Sequence, residues 1–376
     1  MSDAKSRTRL WFLWHSWLAM PIWAFLFFVC LTGSIAVFSH EIMWLFNPAM
    51  RASGDGPAMP VKALVAAAEA AVPDGRVSSV SWGGSHIAVE IRMDVPDGTS
   101  VSAWVDPVRG VVQGISSGAS FQRFFRALHG WLLIYPIGWY AVSLLGIPLL
   151  GALITGLVVY KRFWRSFYRP RIRFSQGARV MWGDLHRVGG TWSIWFLALM
   201  SVTGLWFLVT VVLWDLGMPL GGGKPPVLVA RADLPVVETA PRSDLDAILA
   251  AAFAAVPDMR LRRVILPAVA FVPAEVSGSS GQAPLLPDTI QVNPLTYQVM
   301  DVSGGFDRSP VHLTSIVMRA LHTGDFGGLP VKLVWFAFGL LLTLLVFSGM
   351  MIWTKRTLRA TAEWRRTRAA KETSHA

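Results

Sequence analysis

Four long apolar runs constrain this chain more than any other feature. Residues 10–38, 131–160, 188–214 and 331–353 are almost free of charge. Each reaches the ~20 residues needed to cross ~30 Å of hydrocarbon at ~1.5 Å of helical rise per residue. The whole chain is 53% hydrophobic and 15% charged, with 18 Trp and 21 Phe, and its mean hydropathy is +0.47. That balance is too apolar for an ordinary soluble domain, so the runs read as membrane spans. The first is not read as a secretory signal. It exceeds the length of a signal's apolar core, and no small-x-small cleavage site follows at "VFSHEIMW".

Basic residues set the expected orientation. Lys5, Arg7 and Arg9 precede the first run, and Lys355, Arg356, Arg359, Arg365, Arg366, Arg368 and Lys371 follow the last. Between the second and third runs stand Lys161, Arg162, Arg165, Arg169, Arg171, Arg173, Arg179 and Arg187 against one acid, Asp184. The positive-inside rule places all three segments in the cytoplasm and both long loops outside. The net charge of +11 is then a basic rim on a membrane protein, and no nucleic-acid partner is expected.

The expected division is a span at 10–38, an outer domain at 39–128, a span at 129–162 and a basic cytoplasmic loop at 163–185. The second half follows with a span at 186–214, an outer domain at 215–328, a span at 329–354 and a basic tail at 355–376. The single cysteine, Cys30, lies inside the first span. One thiol builds neither a disulfide nor a Cys-based zinc or iron–sulfur site, so it reads as a small apolar filler.

The halves repeat. His15 precedes Thr32-Gly33 by the same interval that separates His186 from Thr203-Gly204. His129 precedes Thr155-Gly156 by the same interval that separates His322 from Ser348-Gly349. Both latter spans close on a basic pair, Lys161-Arg162 and Lys355-Arg356. The outer loops repeat too. "VKALVAAAEAAVP" and "DLDAILAAAFAAVP" carry helical periodicity, and "WVDPVRGVV" and "QVNPLTYQV" each read as strand, Asp/Asn-Pro turn, strand. Residues 272–288, rich in Pro, Gly and Ser, read as a flexible insertion, and "GGGKPP" at 221–226 reads as a linker. The expected fold class is a membrane α-helical protein with outer α+β domains: four spans in two halves, each helix, small domain, helix.

The histidines carry the chemistry. His15 and His186 begin spans at the cytoplasmic side, whereas His129 and His322 begin spans at the outer side. Pseudo-two-fold symmetry sets His15 opposite His186 and His129 opposite His322. Two imidazoles facing across an apolar gap suit a six-coordinate b-type haem, whose porphyrin supplies four nitrogens. Zn²⁺ wants more protein ligands than two. Eighteen residues of helix rise ~27 Å, which brings Gly33 and Gly204 to the depth of the outer pair, and Gly156 and Gly349 lie near the inner pair. The glycines are expected to leave room for the porphyrin. Arg126 and Arg319, each one turn before a histidine, are candidates for the haem propionates. His40 and His312 are additional candidate ligands at the outer site. His86 reads as surface, and His375 lies in the tail.

"RALH", the Thr-Gly step, the closing basic pair and the two Asp/Asn-Pro turns resemble the PepSY-associated transmembrane family across residues 10–356. The outer domains resemble PepSY domains, with Asn293 where the usual residue is Asp. The family includes haem-containing ferric-siderophore reductases of bacterial inner membranes. The resemblance implies two haem b groups and electron transfer from a cytoplasmic or quinol donor to a ferric siderophore or another periplasmic ferric chelate. It also implies an inner-membrane location, with lipid as a partner and both termini cytoplasmic. No dinucleotide fingerprint is present, so the donor is a separate molecule. Two other readings stand beside this one: a b-type cytochrome exchanging electrons with quinone or a partner oxidoreductase, and a non-redox membrane protein whose PepSY domains bind peptides or regulate a peptidase.

Overall fold

The structure is a computed structural model. It describes residues 2–54, 56–117, 120–160, 163–218, 227–230, 233, 243–280, 286–304 and 308–374. The basic pair Lys161-Arg162, the linker at 221–226 and His375 lie outside these residues.

In chain order the first half runs α1 (Ser2–Ala19), α2 (Trp23–Phe46), α3 (Val61–Ala71), then β1 (Arg76–Ser81), β2 (Val89–Asp94), β3 (Ser100–Val105) and β4 (Val112–Ser117). It continues with α4 (Phe121–Trp131), α5 (Ile137–Leu144) and α6 (Gly146–Val159), and α7 (Phe163–Tyr168) leads to the second half. There α8 (Ala178–Trp192), α9 (Ile194–Asp215) and α10 (Leu245–Ala255) precede β5 (Arg260–Ile265), β6 (Ala274–Ser279), β7 (Asp288–Val292) and β8 (Val299–Ser303). Finally come α11 (Pro310–Thr323) and α12 (Gly328–Ser374).

These elements form two compact units. One comprises Met1–Phe38, Phe125–Val212 and Leu321–Ala376, and the other Ser39–Phe124 and Leu213–Ala320. Arg7–Phe46, Ile137–Val159, Ile194–Asp215 and Gly328–Trp364 are long and apolar enough to cross a membrane, so the protein is a multi-pass membrane protein. In one respect the helices differ from expectation. All four histidines stand on helical segments set off from the apolar runs that follow them. A 3₁₀ turn at Met20–Ile22, containing Pro21, follows α1, and Ser193 interrupts the chain between α8 and α9. Between α4 and α5 the helix is broken, with Leu132 and Leu133 in the left-handed region. Gly138 is needed there, because a Cβ would overlap the Trp131 carbonyl. In the sequence, Pro136 inside the apolar run is the sign of this break.

The second unit is one antiparallel sheet in the order β4-β3-β2-β1-β5-β6-β7-β8. Each group of four strands is a meander, and three residue pairs, Ser79↔Ile265, Val80↔Val264 and Ser81↔Arg263, join them. Bulges fall in the first and fourth strands of both meanders, where Ser78, Gln113, Arg262 and Met300 are the extra residues. The helices α3 and α10 cover one face. Leu64, Ala68, Ile248 and Ala252 pack there over Val80, Ile91, Ala103, Val264, Val276 and Ile290, all at 1% exposure or less. Fully burying one such Leu or Ile contributes roughly 1.5–3 kcal/mol. The opposite face carries the polar alternates, except where Trp104 packs with Met50 and Ala88.

The expected insertion at 272–288 is corrected in part. Ala274–Ser279 is β6, a full member of the sheet, with Ala274, Val276 and Gly278 inward and Glu275, Ser277 and Ser279 outward. Its small residues disguised a period-two pattern; residues 281–285 lie outside the described residues. The two proline turns share one device. The Asp106 carboxylate accepts from the backbone N–H groups of Val108 and Arg109, and the Asn293 amide oxygen accepts from those of Leu295 and Thr296. Asn293 also donates through Nδ2 to the Asp233 carboxylate at 3.1 Å, a role no Asp could fill.

Candidate functional site

The first unit brings four imidazoles together as two pairs. His15 on α1 is held by α6: its Nδ1 lies 3.1 Å from the Ala152 carbonyl and 3.0 Å from Thr155 Oγ1. His186 on α8 is held by α12 in the same way, 3.1 Å from both the Leu345 carbonyl and Ser348 Oγ. The two ring centroids are 6.1 Å apart with planes at 74°. His129 on α4 lies 3.0 Å through Nδ1 from the Val29 carbonyl on α2. His322 on α11 lies 2.8 Å through Nδ1 from Thr203 Oγ1 on α9. These rings are also 6.1 Å apart, inclined at 31°.

The tautomer follows from the acceptors. A carbonyl offers only lone pairs, so Nδ1 of His15, His129 and His186 carries the proton and donates. At His322 the acceptor is a hydroxyl that already directs its own hydrogen to the Leu199 carbonyl at 2.8 Å, so its oxygen accepts from the ring. Thr155 and Ser348 likewise donate within their own helices, to Gly151 and Leu345. Protonation at Nδ1 leaves the imidazole lone pair on Nε2, the nitrogen a metal would take. This anchoring of one imidazole nitrogen by an outer partner is the usual support of a metal-bound histidine.

The hydroxyl-glycine step is the local device. Three of the four glycines border an imidazole. A Cβ on Gly33 would stand 2.6 Å from His129 Cε1; on Gly156 it would stand 3.4 Å from His15 Cε1, and on Gly349 3.3 Å from His186 Cε1. The room expected for a porphyrin is instead taken by the histidine ring. Gly204 differs: its Cβ would meet Gly146 Cα at 3.8 Å, an ordinary contact between two helices. The sequence pointed to the glycines but not to the preceding hydroxyls as imidazole acceptors.

Aromatic rings in plain contact also sit 4.5–7 Å apart, so spacing alone decides nothing. The anchored Nδ1 groups are a separate observation, of the kind that accompanies metal-bound histidine. Metal–imidazole bonds of ~2 Å on both sides, plus ~1 Å from each coordinating nitrogen to its ring centre, give a centroid separation of ~6 Å. The 6.1 Å centroid separation of each pair matches that spacing. Among the described residues no group of three or more His, Cys, Asp or Glu is placed to hold a metal. A metal at either pair would have to bring its remaining ligands with it.

The other candidate residues fall elsewhere. Arg126 pairs with Asp325 at 3.6 Å, and Lys332 approaches the same carboxylate at 3.5 Å. Asp325, one turn beyond His322, was not singled out by sequence. Arg319, His40 and His312 belong to the sheet unit and to neither pair. Burial, and then neighbouring Arg308, hold His312 below the ordinary histidine pKa. His86 is exposed and meets the Trp44 ring edge-on at 5.8 Å. Cys30 packs among apolar neighbours of the first unit. Asp184, 1% exposed, accepts from the Arg173 backbone and guanidinium at 2.8–3.1 Å and from Arg187, fastening the basic link to α8 two residues before His186.

An uncharacterized protein of Pseudomonas aeruginosa is 28% identical to this chain over 254 residues, covering 62% of the chain. The match spans 63% of that relative's length. The PepSY-associated TM region model matches residues 12–356. With nearly its whole length inside that match, the chain belongs to the PepSY-associated TM region family.

Proposed function

We propose that this protein is a two-haem b electron carrier of a bacterial inner membrane that delivers electrons to a periplasmic ferric chelate of the siderophore type. The observation that carries the reading is the pair of imidazole pairs, each ring anchored at Nδ1 and each pair 6.1 Å between centroids. His15 with His186 and His129 with His322 would be the axial ligands. Haem b, when bound, supplies a one-electron iron couple whose porphyrin provides the four ligands that the protein lacks.

The chain's own residues do the rest. The helix carbonyls at Ala152, Val29 and Leu345 fix the tautomer of three rings and Thr203 that of the fourth, with Thr155 and Ser348 as further acceptors, and these partners raise the basicity of the coordinating nitrogen. Arg126, Lys332 and Asp325 make a charged cluster one turn from each ring of the second pair, where a propionate would find cations. The basic segments support cytoplasmic termini and a periplasmic sheet unit. Matching meanders, bulges and hydroxyl-glycine steps support an internal duplication. A ferric chelate holds Fe³⁺ through hard oxygen donors and Fe²⁺ far less tightly, so one electron releases the metal.

Absorption spectra of the purified protein before and after dithionite test this. Split α and β bands are expected, and His15→Ala and His129→Ala should each remove about half of the haem. Reoxidation of the reduced protein by a ferric siderophore, and not by a quinone, is the expected discrimination. A colourless folded protein, or full haem content in both variants, overturns the reading.

A further inference from the structure

The link between the two halves carries large rings and basic side chains close together. On α7, Trp164, Phe167 and Tyr168 are 60, 40 and 75% exposed. Three contacts fix where this segment lies. The Tyr160 and Ser166 hydroxyls share a hydrogen bond, which ties α7 to the end of α6. The Phe167 ring packs on Trp192 of α8, with centroids 5.6 Å apart. Beyond α7, Arg173 donates to the buried Asp184 carboxylate at 2.8 and 2.9 Å. Trp192 lies past Arg187, the last charge before the span Ile194–Asp215, and about 9 Å of helical rise beyond His186. Asp184 lies on the other side of His186. The chain from Phe167 to Arg173 therefore runs from inside the leaflet at the His15/His186 end to its surface.

Arg169 and Arg171 lie on this stretch, and Arg165 is on α7 itself; all three are exposed. Among the described residues none of them has a carboxylate within ion-pairing distance. From residue 161 to residue 192 the sequence holds one acid, Asp184, which is 1% exposed and already shared by Arg173 and Arg187. Glu363 stands on α12, about 22 Å of helical rise past Ser348, the partner of His186, and is too far along that helix to neutralise them.

Topology alone asks for basic residues on this side of the bilayer. It does not ask that they be pinned to α8 with indole and phenyl rings set below them. Rings in the acyl boundary with arginines just above are the two faces of a segment lying in a membrane surface. A guanidinium offers a planar fork of donors that matches two phosphate oxygens. We infer that α7 and the stretch through Arg171 form an interfacial anchor that binds anionic phospholipid headgroups of the leaflet at the His15/His186 end. Arg165, Arg169 and Arg171 supply the charge, and Trp164, Phe167 and Tyr168 the depth. The clamp between Arg173 and Asp184 joins this anchor to the helix that carries His186. The inference needs the membrane spans and not the haem reading.

Native mass spectrometry of the full-length protein in detergent would titrate phosphatidylglycerol, phosphatidylcholine and, as competitor, inorganic phosphate. Phosphatidylglycerol should be retained in preference to the zwitterionic lipid. Arg169→Gln and Arg171→Gln should each weaken that retention roughly fivefold, and the double variant roughly 30-fold. Lysine at the same positions should keep most of it, because the charge remains. Arg109→Gln, which removes an exposed arginine of the sheet unit, should change nothing. These side chains are exposed, so the variants should fold, and melting curves verify it. Depth is read separately in vesicles, with a nitroxide on Tyr168→Cys or Trp164→Cys in a Cys30→Ser background. The label should collide with oxygen dissolved in the bilayer and be shielded from a water-soluble nickel chelate. Equal phosphatidylglycerol retention in wild type and the double variant overturns the inference, as do labels at both positions that the nickel chelate reaches freely. Those two results together would turn the arginines toward a soluble acidic partner. Phosphate that displaces the lipid at equal concentration would make this a plain anion site and overturn the inference as well.

Discussion

Replacing Gly33 with Ala puts a methyl group 2.6 Å from His129 Cε1 and 3.0 Å from its Nδ1. Carbon atoms rest at ~3.5–4.0 Å, so the ring must retreat by ~1 Å. A retreat of that size stretches the 3.0 Å bond from Nδ1 to the Val29 carbonyl beyond hydrogen-bonding range, at a cost of about 1 kcal/mol. Overpacking adds roughly 1–3 kcal/mol, and the better helix propensity of Ala returns about 1 kcal/mol. The net penalty of about 1–3 kcal/mol corresponds to a roughly 5–150-fold loss of ligand affinity at the His129/His322 pair. The same substitution should be milder at Gly349 and Gly156, where the new contacts are 3.3 and 3.4 Å, and nearly silent at Gly204, where the contact is 3.8 Å. Haem content and the reduced spectrum of the four alanine variants, with melting curves as a check on folding, read this order. Equal losses from Gly204→Ala and Gly33→Ala, or full occupancy in Gly33→Ala, would refute the account of the glycine step.

Four further outcomes are expected. Thr155→Val and Ser348→Ala each remove a hydroxyl acceptor while leaving the helix carbonyl, so each should weaken the first pair's hold by about 1 kcal/mol and shift its reduction potential; Thr155→Ser should restore both. Asp184→Asn strips the buried charge that Arg173 and Arg187 share and should cost about 2–4 kcal/mol, read as a lower melting temperature. Asn293→Asp sets a second carboxylate against Asp233, so the sheet unit should lose stability at pH 7 and recover part of it as acid protonates the pair. Burial opposes ionisation of Asp106, yet hydrogen bonds from Arg109, Ser53 and Val108 prevail and hold its carboxyl below the usual range. Its contribution should therefore be complete above pH ~3.9, where the unfolded carboxyl titrates, and vanish as pH falls through the lower folded value; Asp106→Asn should abolish that dependence.

Much of the fold is written in local periodicity. The apolar runs mark the spans, and the Ala-rich segments at 61–73 and 244–257 became α3 and α10. What local pattern cannot carry is partnership at a distance. Nothing in "RVSSVS" or "RLRRVI" says that β1 and β5 lie side by side, because backbone groups pair them. The strand at 274–279 was hidden by small residues that signal loops when read alone. For the candidate site, equal spacing singled out the four histidines and the hydroxyl-glycine steps. Which hydroxyl would serve which ring was illegible, since Thr155 lies 140 residues from His15 and Ser348 lies 162 from His186. The cause of the glycines was misjudged for the same reason: the bulky neighbour is an imidazole from another helix.

Each imidazole pair draws one ring from either half of the chain, and so does the seam at the middle of the sheet. A polypeptide ending near residue 170 would own two unmatched rings and a central strand with a bare row of amide groups. Two such polypeptides could complete one another about a two-fold axis. Cutting the chain in the basic link should accordingly yield fragments that are worthless singly and competent when co-produced.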